Sequence, residues 1–168
     1  MTRSGLLVCI SVLGLGVAGC NHQTPTNAST NSASNISTGP TKPAATAGEN
    51  TWGNYLSEQG KLHGKDVGMR PYIYVIPGGD SVGANARRQN ETDSVVHSIG
   101  PILMPGGMLI LGGPDVTQTT AFITGVSKQL KADALKGIVV MVVSDTSEQS
   151  TVTNALKASG AVVRFVAM

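Results

Sequence analysis

Thiols are nearly missing from this 168-residue chain, and the two present, Cys9 and Cys20, fall within its first twenty residues. Beyond Cys20 the chain offers no disulfide, no thiolate zinc site and no cysteine nucleophile. Such a composition suits an oxidising compartment, where stray thiols would scramble. Histidine is just as sparse. His22, His63 and His97 are the whole complement, and no two stand at helical metal-ligand spacing, so neither a zinc site nor any cofactor is expected. Charge is low, 13% of residues with a formal net of +2, which argues against an electrostatic nucleic-acid binder. The one adjacent basic pair, Arg87-Arg88, reads as the wet face of a helix. Nor does any apolar run suffice for a membrane span. Leu6 to Val17 is shorter than the roughly 20 residues required, and glycines interrupt the region.

The N-terminus is nonetheless distinctive. Arg3 supplies a positive n-region, the apolar run follows, and small residues lead directly into a cysteine, the form of a secretory signal peptide. The tetrad Val17-Ala18-Gly19-Cys20 resembles the lipobox of bacterial lipoprotein precursors. The resemblance implies cleavage before Cys20, diacylation of Cys20, and Cys20 as the mature N-terminus. Asn21 stands where an aspartate would signal retention at the inner membrane, which implies the outer membrane and a periplasm-facing placement in the bacterial envelope. An ordinary cleaved signal, with Ala18 in a small-residue site, is the plainer alternative.

Residues Asn21 to Asn50 are mainly Thr, Ser, Asn, Ala and Pro, with Ile36 the lone large aliphatic and Lys42 and Glu49 the lone charges. Such a segment cannot bury enough apolar surface to offset chain entropy and is expected to be a disordered linker. As a random coil it spans roughly 30 Å. The expected organisation is therefore a signal peptide over 1–19, a lipidated cysteine and linker over 20–50, and one domain over 51–168.

In that domain Trp52, Tyr55, Leu56 and Leu62 recur at helical spacing, predicting an opening amphipathic helix. Four apolar runs follow: Pro71 to Ile76, Met108 to Leu111, Ile138 to Val143 and Ala161 to Val166. Helix-period segments lie between them, marked by Val82, Ala86, Val95, Val96 and Ile99, then Phe122, Ile123, Val126 and Leu130, then Val152, Ala155 and Leu156. Alternating strands and helices predict β-α-β units and a parallel sheet. Nearly continuous apolar runs fit strands covered on both faces. The predicted fold is α/β, a three-layer sandwich with a four-stranded parallel sheet. A flavodoxin-like order of 2-1-3-4 puts crossover helices on both sides. Tyr72 and Tyr74 share one strand face and read as core, and Arg164 reads as a snorkelling or edge residue.

In such sheets ligands bind beyond the carboxyl ends of the strands. Three of those ends are polar here: Gly78-Gly79-Asp80-Ser81-Val82-Gly83, Gly112-Gly113-Pro114-Asp115 and Ser144-Asp145-Thr146-Ser147-Glu148. Candidate ligand-binding residues are thus Gly78, Gly79, Asp80, Ser81, Asp115 and Asp145. The aspartates fit an acidic metal site or a carboxylate pair. They fit equally the caps of the helices that follow, with Asp145 and Glu148 forming a capping-box pattern.

Gly79-Asp80-Ser81-Val82-Gly83 matches G-x-S-x-G between a predicted strand and helix, the context of a nucleophile elbow. It also resembles the Gly-Asp-Ser start of the GDSL (SGNH) hydrolases, which implies Ser81 as a catalytic nucleophile. The rest of that family's pattern is missing. Pro114 stands where its Gly-x-Asn-Asp block needs asparagine, and no histidine follows His97 for its Asp-x-x-His. His97 lies 16 residues along the helix from Ser81, roughly 24 Å away, and His63 is separated from Ser81 by a strand of about 20 Å. Gly78 to Gly83 has P-loop spacing, but Ala84-Asn85 replaces the required Lys and Ser/Thr.

The function expected from these observations is a membrane-tethered envelope lipoprotein that presents a small, non-enzymatic α/β module. Its partners would be the membrane, through its lipid, and an envelope protein or small ligand. The alternative is a small periplasmic hydrolase using Ser81, or using Asp80, Asp115 and Asp145 around a divalent metal.

Overall fold

A computed structural model describes residues 39–99 and 102–168. The signal-like segment, Cys20 and the linker up to residue 38 lie outside the described residues. Helix α1 (Glu49–His63) is followed by β1 (Tyr72–Val75), α2 (Val82–Ser94), β2 (Met108–Gly112), α3 (Val116–Gln129), β3 (Val139–Ser144), α4 (Gln149–Leu156) and β4 (Val162–Ala167). All three strand pairings are parallel, so the α/β reading with four parallel strands and a leading helix holds.

The strand order is 1-2-3-4 rather than 2-1-3-4. Apolar content is the physical reason. Every residue of β2 and β3 is buried, whereas β1 and β4 are only partly covered. The runs Met-Leu-Ile-Leu-Gly and Val-Val-Met-Val-Val-Ser carry almost no polarity and take the centre. The strands with Tyr72 and Arg164 take the edges, where a wet flank is tolerated.

This order has a second consequence. With every crossover moving in one direction, right-handed connections put all of them on a single face. One core accordingly joins Leu109, Leu111, Val140 and Val142 of the sheet to Val95, Phe122, Ile123, Val126, Val152 and Leu156 from the crossover segments. The opposite face, with Ile110, Met141 and Val143, is covered by Trp52, Tyr55 and Leu56 of α1. The three layers are thus three crossover segments, the sheet, and one lone helix.

Helix α1 buries Trp52, Tyr55, Leu56, Gln59 and Gly60, an i, i+3, i+4, i+7 stripe. Trp52 and Tyr55 meet edge to face at 5.7 Å, and the Trp52 indole donates to the Ala44 carbonyl at 3.2 Å. The fold therefore takes in the turn before Glu49, and Ala47 packs on the same core. Its helix starts two residues earlier than the expected boundary at Thr51. Glycine lets α1 sit low on the sheet: a Cβ at Gly60 would lie 2.6 Å from Ile110 Cδ1, and one at Gly64 2.7 Å from Met108 Cε.

Arg164 of β4 closes this layer. Its guanidinium forms a bidentate pair with Asp66 at 2.8 and 2.9 Å and also donates to the His63 carbonyl at the end of α1. It pins the end of the lone helix to the edge strand, as an edge residue with its head in water. Tyr74 packs on the crossover-side core, but Tyr72 is exposed, so the core reading of the pair holds only for Tyr74.

Candidate functional site

Each polar strand end leads into a helix, and the helix explains its side chains. Ser81 precedes α2 and its Oγ accepts from the Ala84 N–H at 3.1 Å. Asp115 precedes α3; its Oδ1 accepts from the Gln118 N–H at 3.0 Å and its Oδ2 from the Gly79 N–H at 3.4 Å. Asp145 accepts from the Ser147 N–H at 2.9 Å. That bond, aided by the Ser147 side chain, holds the Asp145 carboxyl below its usual range. These are N-cap bonds, which satisfy donors the first helical turn leaves open. Gly79 adopts φ +72°, the left-handed conformation that makes the strand-to-helix turn possible.

Two of the candidate residues are brought together. Gln118 Nε2 donates to Asp80 Oδ1 at 2.6 Å while its backbone N–H caps on Asp115. Gln118 therefore ties the β1–α2 loop to the β2–α3 loop, a role its sequence position did not signal. Asp80 also offers its carbonyl to Asn85 Nδ2 at 3.1 Å. Asp145 takes no part in this network. Among the described residues no group of three His, Cys, Asp or Glu converges as a metal site would need. Ser81 Oγ has Ala84 as its hydrogen-bond partner, and among the described residues no imidazole or carboxylate bonds to it.

Strand order explains why these ends form no crevice. A crevice opens where neighbouring loops leave toward opposite faces, at a reversal of strand order. Order 1-2-3-4 has no reversal, and all three loops turn toward the same face. What remains is an open depression of about 450 Å³ along Ala45, Gly78, Gly79, Pro114, Asp115 and Val116.

Arg88 departs from its expected place on a wet face. It is buried, donating to the Pro77 carbonyl at 2.6 Å and to Asn85 Oδ1, and so fastens the end of β1 onto α2. Its neighbour Arg87 is the exposed member and forms a bidentate pair with Glu49 at 2.8 and 2.9 Å. That pair holds the Glu49 carboxyl below its ordinary value. The buried face of α2 is thus Arg88, Thr92 and then Val95, with Val82 turned to solvent. Apolar periodicity placed a helix here but could not identify a buried face anchored by an arginine.

A larger concavity lies at the opposite end of the sheet. A groove of about 1070 Å³ opens between the last turns of α1 and the amino ends of β1 and β2. Met69, Tyr72, Ile73 and Met108 give it apolar walls, and Lys61, Lys65 and Arg70 line it with cations. Sequence reasoning missed it because it looked to the carboxyl ends. The signal available was Lys65 to Tyr72, a loop mixing cations with Met69 and an aromatic. The chain matches no protein-family model, no curated protein and no solved structure.

Proposed function

We propose that this chain is an envelope lipoprotein, tethered through Cys20, whose α/β domain is a non-enzymatic binding module. The observation that carries the reading is the passage from an apolar run through Val17-Ala18-Gly19 into Cys20, with a polar, low-complexity segment after it. A lipid on Cys20 followed by some twenty polar residues presents a domain to a membrane without inserting it. The non-enzymatic half is supported by the strand ends. Ser81, Asp115 and Asp145 spend their oxygens on helix caps, and Asp80 is engaged by Gln118. Each of these side chains is thus accounted for by the local structure it holds, with no general base bonded to Ser81 among the described residues.

The test is expression of the full chain and of Cys20→Ser in a bacterial host, with fractionation and fatty-acid labelling. After a high-salt wash, which strips electrostatic contacts, the wild-type chain is expected in the membrane fraction with label attached, and Cys20→Ser in the soluble fraction without it. Retention of Cys20→Ser on salt-washed membranes would overturn the tether. Ester or phosphoester turnover that disappears in Ser81→Ala would overturn the non-enzymatic reading.

A further inference from the structure

We infer that the amino end of the sheet is a membrane-contacting face, built to lie on an anionic phospholipid bilayer. Of the seven large apolar side chains that stand exposed among the described residues, six belong to segments at that end: Leu62, Met69, Tyr72, Ile102, Met104 and Val162. They come from four separate segments: the end of α1, the loop into β1 with the first residue of that strand, the loop into β2, and the first residue of β4. The seventh, Val82, is at the other end. So one-sided a distribution points to an interaction surface, whereas single exposed apolar residues need no explanation.

Charge is sorted along the same axis. Lys61, Lys65 and Arg70 line the groove at this end. Lys131, Lys136 and Lys157, all exposed, sit on the neighbouring loops. The carboxylates at this end are fewer. Asp66 is taken by Arg164 and Glu58 by Lys61, with Asp133 and Asp93 nearby in sequence to the same helix ends. The opposite end carries Glu49, Asp80, Asp115, Asp145 and Glu148, against Arg87 paired with Glu49, the buried Arg88, and Lys42 near Asp145. Helix dipoles account for part of this, since lysines favour helix C-termini and aspartates N-termini. They do not account for six exposed apolar side chains among the lysines. Apolar groups surrounded by Lys and Arg match the boundary between acyl chains and anionic headgroups. A soluble polyanion would use the cations and leave the methionines unexplained.

This inference deepens the tethered-module reading, and the tether permits it. The chain enters the fold at the carboxyl end, where Ala45 adjoins Gly78 and Gly79 and Lys42 acts on Asp145. From Cys20 to Lys42 is about 22 residues, a reach of at most roughly 75 Å. The longest strands span only about 20 Å. The domain can therefore turn its amino end onto the membrane that holds its lipid. Lipid and face would then act together as two signals for one surface.

The test uses residues 36–168, a compact unit that holds both cores and lacks Cys20, so that its outcome is independent of lipidation. Cosedimentation is measured with vesicles of phosphatidylglycerol and phosphatidylethanolamine, and with phosphatidylcholine alone. Binding is expected to the anionic vesicles only, and to fade with added salt. The double variant Lys65→Glu/Arg70→Glu should weaken binding about 30-fold or more. Met69→Asp should weaken it without changing the fold, checked by fluorescence of the single tryptophan. Glu148→Lys, at the far end, should leave it unchanged. Failure to bind anionic vesicles at low salt overturns the inference. So does equal binding to neutral vesicles, or binding to polyphosphate but not vesicles. If Cys20→Ser loses its membrane while this unit still binds vesicles, face and tether both stand. If the unit fails to bind, the tether is unaffected.

Discussion

Gly60 is where helix propensity and packing oppose each other most directly. Alanine in a helix interior is favoured over glycine by about 1 kcal/mol. At Gly53 the added methyl would meet Val75 Cγ2 at 3.7 Å, an ordinary contact, so Gly53→Ala should stabilise by about that amount. At Gly60 the same methyl would fall 2.6 Å from Ile110 Cδ1. Ile110 is fully buried in one cluster with Trp52, Leu56, Met108 and Met141, so shifting its terminal methyl means displacing packed neighbours. Overpacking of this kind costs about 1–3 kcal/mol, and Gly60→Ala should therefore be destabilising by roughly 1 kcal/mol net of propensity. Ile110→Val removes the obstructing atom and alone should cost about 1 kcal/mol. Together the new methyl occupies the space the old one left, and the double variant should sit near wild-type stability. The cycle then gives a coupling of roughly 2 kcal/mol. Urea unfolding followed by Trp52 fluorescence measures all four proteins. A stabilising Gly60→Ala, or costs that add within about 0.5 kcal/mol, would refute the close seating of α1 on the sheet.

Three further outcomes are expected. Ser81→Ala and Asp115→Ala should each lower stability by about 1 kcal/mol through loss of a cap. Asp115→Ala should cost more, because Asp115 also binds the Gly79 N–H; equal, negligible effects in urea titrations would argue against the capping roles. The Arg164 guanidinium holds the Asp66 carboxyl at about 2, below its ordinary 3.8. A lowered folded-state value adds stability above the unfolded value, and that addition disappears as pH falls through the folded one. Asp66→Asn should thus be destabilised near neutral pH, with its deficit closing between about pH 4 and pH 2; a deficit that persists at the acid end would sink the ion pair as its cause. Ser144 is fully buried and its Oγ has no hydrogen-bond partner among the described residues. Ser144→Ala should raise stability by about 1 kcal/mol, and a lower melting temperature would show that the hydroxyl has a partner.

Much of this molecule was legible before any coordinates. Local periodicity located the helices and all four strands, because each element buries a face and writes that face into its own residues. The caps at Ser81, Asp115 and Asp145 were legible for the same reason, since a cap bonds to a backbone N–H two or three residues along. Arg164 announced itself as a charge in an apolar run. What escaped were relations between distant segments. Arg88 is buried because the Pro77 carbonyl waits for it, and Gln118 bridges two loops because β1 and β2 are neighbours.

The amino-acid sequence by itself determined the class of fold, the alternation of elements and the polar character of the strand ends, all consequences of interactions over a few residues. Only the tertiary structure decided the order of the strands, and with it where a binding surface lies. Four apolar strands can be ordered several ways at similar local cost. Side-by-side pairing is selected by which strands can be buried on both faces, a comparison made across the whole sheet. Order 1-2-3-4 removes the reversal at which a crevice would open, so the carboxyl end is left capped and open. The lone helix α1, antiparallel to the sheet, closes its groove at the opposite end among Lys65, Met69 and Arg70.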